Sequence, residues 1–386
     1  MKILITSDWC LSAVNGVATS IRNLADGLQA QGHEVRILTL AENRHTQQIG
    51  NEILLGSVGA GAIYPHARLR ITRGDALVQT LIAWRPDIVH SQCEFFTFPL
   101  AKRIAHACGC PLVHTYHTLY ENFTHYFFPS EPFGRTLAAW FSRHVLAQTD
   151  AVIASTEKVR AALRRYGVAK PVYTVSTGLK LDRFLAPANP AARHALREKL
   201  GLRRQDLALI FTGRLAQEKN IPELLRLLSA APPQVKLLLV GDGPERQALE
   251  TAAQQHGLQQ RVVFTGMIPP SQIADYYKAG DVFVSASRSE TQGLTYLEAM
   301  ASGLPLLCRA DPCLDGVLRA GETGFSYTDP ARFLAALEAL SAPARRRMGE
   351  IARQTVQVQF SQARFVQAVL QVYTQCLRHR LEVPAA

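Results

Sequence analysis

The strongest constraint on this chain is a rhythm that runs twice. Short, nearly uninterrupted apolar runs recur, each followed by room for one helix. The first set comprises KILITS (2–7), the QGHEVRILTL run (31–40), DIVHSQ (87–92), PLVHTY (111–116), DAVIAS (150–155) and PVYTVS (171–176). Between the first two, Val17, Ile21, Leu24 and Leu28 recur at helical spacing after Asn15-Gly16, which makes a βαβ unit. After the proline-spaced FLAPANPAARHALREKLGL the rhythm restarts with LALIFTG (207–213), VKLLLVGDG (235–243), RVVFTG (261–266), DVFVSAS (281–287) and LPLLCRA (304–310). Strands that are apolar throughout, rather than alternating, are covered on both faces, as in parallel sheets whose crossovers are helices. Two such sets predict an α/β chain with two Rossmann-like domains, 1–180 and 181–365. A last helix over 366–386 is long enough to cross back to the first domain.

With 386 residues, 47% of them hydrophobic and 19% charged, the chain can build two separate cores. No apolar run approaches the roughly 18 residues of a membrane span, and Asp8 interrupts the first strand too early for a signal peptide. The expected location is the cytoplasm. The seven cysteines form no paired CxxC units, so they read as reduced and mostly buried, and Cys108-Gly-Cys110 reads as packing rather than a metal site. A net charge of +11 draws polyanions: nucleic acid, anionic lipid or phosphorylated substrates. A nucleic-acid reader concentrates such charge in a stripe, whereas here the excess is spread over both halves.

In open parallel sheets, ligands bind beyond the carboxyl ends of the strands, and three motifs fall there. Asn15-Gly16 opens the first helix, whose free amides suit an anion, although such a glycine also serves ordinary turns. FTGRLAQEKN places Gly213, Arg214 and then Lys219 after a strand, two cations fit for the two charged groups of a diphosphate, or simply a solvated basic loop. SRSETQGLTYLEAMASG carries Glu290 on a strand-to-helix loop, Gly293 at the turn and Glu298 about one turn into the helix. In the latter position a carboxylate can accept both hydroxyls of a ribose, and the glycine lets backbone amides approach a phosphate. A glycosidase pair would need one carboxyl kept protonated. Cations one strand away favour ionised carboxylates instead. No DxD pair or HxxxH cluster points to a metal here, and Arg214 and Lys219 can neutralise a diphosphate without one.

Together the E-x7-E of Glu290 and Glu298, the GR-x4-K of Gly213, Arg214 and Lys219, and the doubled α/β rhythm resemble the retaining GT-B glycosyltransferases of family 4, over essentially the whole chain. Within that family, SETQGLTYLEAMASGLP, HTYHTLYENFTHY, VNGVATSI and STGLKLDRF look most like diacylglycerol glucosyltransferases. The resemblance implies two Rossmann-like domains with an interdomain cleft, UDP-glucose as donor, diacylglycerol as acceptor, no cofactor or metal, and an α-linked glycolipid. It implies that Glu290 and His117 face the donor sugar, that Glu298 takes the ribose, and that Arg214 and Lys219 bind the diphosphate. Backbone around Gly293, Leu294 and Thr295, with Gly16 from the first domain, would add to phosphate binding. Many relatives carry a glycine pair where this chain has Asn15-Gly16. A lone histidine after a strand is otherwise a structural hydrogen-bonder, and His114 on the same strand should face the other way. The implied mechanism is a front-face displacement in which the leaving phosphate takes the acceptor proton, so no nucleophilic carboxylate is required.

A lipid acceptor accounts for the basic surface. Residues 64–87 hold Arg68, Arg70 and Arg73 beside Leu69, Ile71, Leu77, Leu81, Ile82 and Trp84, an interfacial-helix pattern that would set the protein peripherally on the inner face of the plasma membrane. GRTLAAWFSRHVLAQ, with Arg135, Trp140, Phe141 and Arg143, is a second candidate. Amphipathic helices with arginines on the wet face also occur widely in proteins that never meet a membrane. The alternatives are a family 4 enzyme with a saccharide acceptor in lipopolysaccharide or exopolysaccharide assembly, and an inactive basic protein that binds lipid or nucleic acid.

Overall fold

The computed structural model describes residues 1–60, 68–71, 75–124 and 130–382. The chain divides into two compact units: 1–178 together with 362–386, and 179–361. The boundary falls two residues before the expected 180, and the last helix, Gln362–Glu382, starts before the expected 366.

The first unit holds an eight-stranded sheet in the order Val172–Thr174, Ala151–Ala154, Leu112–Tyr116, Ile88–Ser91, Lys2–Thr6, Glu34–Leu40, Glu52–Leu55 and Gln47–Ile49. All pairings are parallel except the last. Glu52–Leu55 and Gln47–Ile49 extend the edge beyond the strands read from the sequence, because one is four residues long and the other is exposed and polar. Alternate residues of the first strand feed opposite cores. Ile3 and Ile5 meet Ile21 and Leu24 of helix Gly16–Ala30 and Val366 and Val369 of helix Gln362–Glu382. Leu4 meets Val78 and Leu81 of helix Asp75–Trp84 and Ile104 of helix Phe98–Cys108. Both faces are covered, which is why the strands are apolar without alternation.

The second unit repeats this plan with six parallel strands in the order Val262–Gly266, Val235–Val240, Leu207–Thr212, Val282–Ser285, Leu306–Arg309 and Gly324–Tyr327. Leu209 and Phe211 pack on one side with Leu224 and Leu228, and Ile210 packs on the other with Tyr277 and Met300. In chain order the strands run outward one way from Leu207–Thr212, then outward the other way from Val282–Ser285. The reversal lies between these two neighbours. All seven cysteines are free, and six are buried. Among the described residues no helix is long and apolar enough to cross a membrane.

Candidate functional site

Where strand order reverses, the loops leaving two adjacent carboxyl ends turn to opposite faces of the sheet and leave room between them. In the second unit these are the loops after Thr212 and Ser285, and they carry the two motifs singled out in the sequence. Gly213 ends its strand at φ 146°. A Cβ on Gly241 would stand 2.0 Å from the Gly213 carbonyl oxygen, and one on Gly243 would stand 2.4 Å from that of Leu215. VGDG therefore packs backbone to backbone on GRL, fixed by the Leu215 amide donating to the Asp242 carbonyl at 2.9 Å.

Arg214 donates to Glu218 Oε1 at 2.6 Å, and Lys219 Nζ to Glu290 Oε1 at 2.6 Å. None of the four side chains is more than 28% exposed. Lys219 closes the 3₁₀ turn Gln217–Lys219, after which Asn220 takes a left-handed φ of 52° to start helix Ile221–Ala230. Ser287 and Ser289 donate to the Glu218 carbonyl at 3.3 and 3.1 Å, which ties one loop to the other. Burial alone would lower the Lys219 pKa, but the charge and hydrogen bond of Glu290 outweigh it and hold the ammonium above the usual lysine value. Burial would raise Glu218, and its hydrogen bond from Arg214 overrides that, so its carboxyl titrates below the usual range.

Gly293 has φ 72°, and a Cβ there would lie 2.6 Å from the Tyr296 ring, so only glycine fits. The N-cap of helix Leu294–Ala301 is Gly293, which has no side chain with which to cap it. The amide end at Leu294 and Thr295 is thus a ready site for an anion. Glu298, half-buried, accepts from the Tyr277 hydroxyl at 2.8 Å. Its pKa is raised by burial, against the Tyr277 hydrogen bond and the charge of Arg183. For Glu298 that corrects the expectation that cations one strand away would favour the ionised carboxylate over a raised pKa.

In the first unit, His117 follows strand Leu112–Tyr116, and its Nε2 meets Gln92 Oε1 at 2.7 Å. Its edge reaches the surface, yet burial lowers its pKa to about 4, with Glu94 opposing and His114 adding to the shift. His114 binds Glu94 Oε1 at 3.1 Å, and the Tyr120 hydroxyl donates to Glu94 Oε2 at 2.5 Å. Gly16 begins its helix, where the Asn15 carboxamide oxygen already accepts from the Ala18 amide at 2.8 Å. Gln92, Glu94, Glu218 and Tyr277 were not singled out in the sequence. Only Glu218 had a local signal, its adjacency to Lys219.

The expected interfacial helix over 64–87 is corrected by the structure. Arg68–Arg70 is a strand paired with Ser57–Gly59, and Arg68 donates to Ser57 Oγ at 2.6 Å and to the Glu42 carbonyl at 2.7 Å. Arg70 sits on the same hairpin, and Arg73 lies outside the described residues. Trp84 is 8% exposed, donates to Glu34 Oε1 at 2.5 Å and carries Arg36 over its ring at 4.5 Å. The apolar face of helix Asp75–Trp84 is spent on the sheet, which leaves Trp84 no ring to offer a bilayer. Among the described residues no three His, Cys, Asp or Glu side chains converge as metal ligands. A depression of about 1210 Å³ at the opposite, amino end of the second sheet is lined by Arg193 and Arg197. Asp281 engages both, through Oδ1 and Oδ2.

Two family models match, Glycosyltransferase Family 4 over residues 14–183 and Glycosyl transferases group 1 over 192–355. The chain is 36% identical over 332 residues to the alpha-monoglucosyldiacylglycerol synthase of Streptococcus pneumoniae, covering 85% of this chain and 75% of that one. It is 28% identical over 342 residues to the enzyme of the same name from Acholeplasma laidlawii, covering 85% of each. Among solved structures, HepE of Anabaena in complex with UDP-glucose superposes with a TM-score of 0.77 at 18% identity, covering 97% of this chain and all of that one. Sucrose-phosphate synthase of Thermosynechococcus elongatus gives 0.77 at 24%, covering 98% and 99%. These two likenesses establish the fold. The chain belongs to the family 4 glycosyltransferases, enzymes of the GT-B fold.

Proposed function

We propose that the protein transfers glucose from UDP-glucose to diacylglycerol with retention at the anomeric carbon, on the inner face of the plasma membrane and without a metal. The observation that carries this reading is the meeting of Lys219 with Glu290, beside Arg214, at the switch point of a sheet whose chain resembles an alpha-monoglucosyldiacylglycerol synthase. In this reading Arg214 and Lys219 exchange their carboxylate partners for the diphosphate, assisted by the amides of Leu294 and Thr295, with Gly213, Gly293 and Gly16 admitting close backbone approach. Glu290 is freed to hold sugar hydroxyls, and Glu298 takes the ribose. His117, neutral at working pH, offers the sugar a hydrogen-bonding ring rather than a charge. The acceptor oxygen bonds to the anomeric carbon on the face from which the phosphate oxygen departs, and the acceptor proton passes to that phosphate. Charge stabilisation in place before the reaction is then the main catalytic contribution.

The membrane part of the reading draws support from helix Glu131–Leu146. There Phe133 and Trp140, 60% and 53% exposed, stand beside exposed Arg135 and Arg143. An anionic leaflet rewards that combination.

The test is to supply purified protein with UDP-glucose and diacylglycerol in anionic mixed micelles, following UDP release and the lipid product by mass spectrometry. Formation of an α-linked monoglucosyl lipid is expected. Replacing Arg214 and Lys219 together with alanine should cost on the order of 10²-fold or more in turnover with the fold retained. Release of UDP only when a saccharide acceptor is present would replace the lipid half of the reading. An unimpaired double variant would remove its donor half.

A further inference from the structure

Glu298 is held from beneath by a residue the family motifs do not include. Tyr277, on helix Ile273–Ala279, is fully buried and donates to Glu298 Oε2 at 2.8 Å. The other oxygen, Oε1, has no hydrogen-bond partner among the described residues. Two aromatic rings pack against that of Tyr277. Phe184 stands edge-on at 5.9 Å between centroids, and Phe283 lies at 6.3 Å. Phe283 is braced in turn by Tyr296, at 5.5 Å, from the same helix that carries Glu298. Burial keeps the phenol well above its ordinary pKa, so the hydroxyl remains a proton donor. A hydrogen bond to a carboxylate is stronger and more directional than one between neutral groups. Each carboxylate oxygen also has two lone-pair sites, so Oε2 can take a second donor while anchored.

We propose that Tyr277 is a positioning residue for the donor nucleotide: it pins one oxygen of Glu298 so that the carboxylate presents its remaining lone pairs to the paired hydroxyls of a ribose. This rests on the reading of Glu298 as the ribose-binding carboxylate. The consequence is selectivity. A carboxylate free to rotate still accepts one hydroxyl, but only a fixed one rewards both, so the preference for ribonucleotide over 2′-deoxyribonucleotide depends on Tyr277.

The experiment measures binding of UDP and of 2′-deoxy-UDP by calorimetry to the full chain, Tyr277→Phe, Glu298→Gln and the double variant, with thermal unfolding as a check on folding. Tyr277→Phe is expected to weaken UDP roughly 5-fold and 2′-deoxy-UDP by less, so the preference shrinks, and to add nothing in the Glu298→Gln background. If both nucleotides weaken equally, or Tyr277→Phe acts just as strongly without Glu298, the tyrosine is only packing and the proposal is overturned. Should Tyr277→Phe unfold, Phe283→Leu, which loosens the clamp and keeps the hydroxyl, must shrink the same preference or the proposal falls. If Glu298→Gln leaves the preference unchanged, the ribose reading fails first, a result distinct from failure of Tyr277 alone.

Discussion

His117 shares Nε2 with Gln92, while Nδ1 has no partner among the described residues. Because Gln92 Oε1 accepts, Nε2 carries the proton and Nδ1 keeps its lone pair. The folded-state pKa of about 4 lies below the ordinary value of 6.5, so the unfolded chain takes up a proton more readily than the folded one. Stability from this residue is therefore complete above pH 6.5 and lost as pH falls toward 4. His90, also shifted down by burial, acts in the same direction. Urea unfolding at about pH 7.5 and about pH 5 should show the pH-dependent loss reduced by about 1–2 kcal/mol in His117→Gln. An unchanged loss would mean the ring is solvated. At this scale the charged chemistry was legible: Arg214, Lys219, Glu290 and Glu298 stand in short motifs with fixed spacing. Gln92 and Tyr277 were not, because nothing in the local sequence pairs them with His117 and Glu298, 25 and 21 residues away.

At the scale of elements, apolar runs identified most strands, since burial on both faces leaves an unbroken hydrophobic signature. Gln47–Ile49, Ser57–Gly59 and Arg68–Arg70, each three residues long, escaped, as did the four-residue Glu52–Leu55 and Gly324–Tyr327. The basic-apolar pattern over 64–87 misled because a helix that must cover a sheet and a helix that lies in a bilayer present similar sequences. Exposure separates them, with Trp84 at 8% and Trp140 at 53%. Helix Glu131–Leu146 should accordingly be the element that meets lipid. Replacing Phe133 and Trp140 together with alanine should lower binding to anionic vesicles roughly 10-fold in a sedimentation assay, while activity on a water-soluble short-chain diacylglycerol persists. Undiminished vesicle binding would remove this helix from the membrane reading.

At the scale of the whole molecule, the two units differ in how they use the chain. Unit 179–361 is continuous, whereas the first unit needs residues from both ends. Val366, Val369, Val372 and Tyr373 are at most 3% exposed within its core, and the Tyr373 hydroxyl meets His90 Nδ1 at 2.6 Å. Each buried valine contributes on the order of 1.5 kcal/mol or more, so loss of this helix removes much of a domain's net stability. A fragment of residues 179–361 should fold alone and bind UDP, and a fragment of residues 1–178 should fold only when a peptide of residues 362–382 is added. Circular dichroism with a UDP titration checks both, and a stable 1–178 fragment would contradict the second.

The amino-acid sequence by itself determined that there would be two parallel α/β sheets, and which side chains carry charge at their carboxyl ends. Hydrophobic runs, glycine turns and side-chain types are local properties that survive in one dimension. Only the tertiary structure decided that Lys219 meets Glu290, 71 positions further on, that Tyr277 lies under Glu298, and that Trp84 is core while Trp140 is surface. Those outcomes depend on strand order and on which face each helix buries, and both are set by how the whole chain closes its cores.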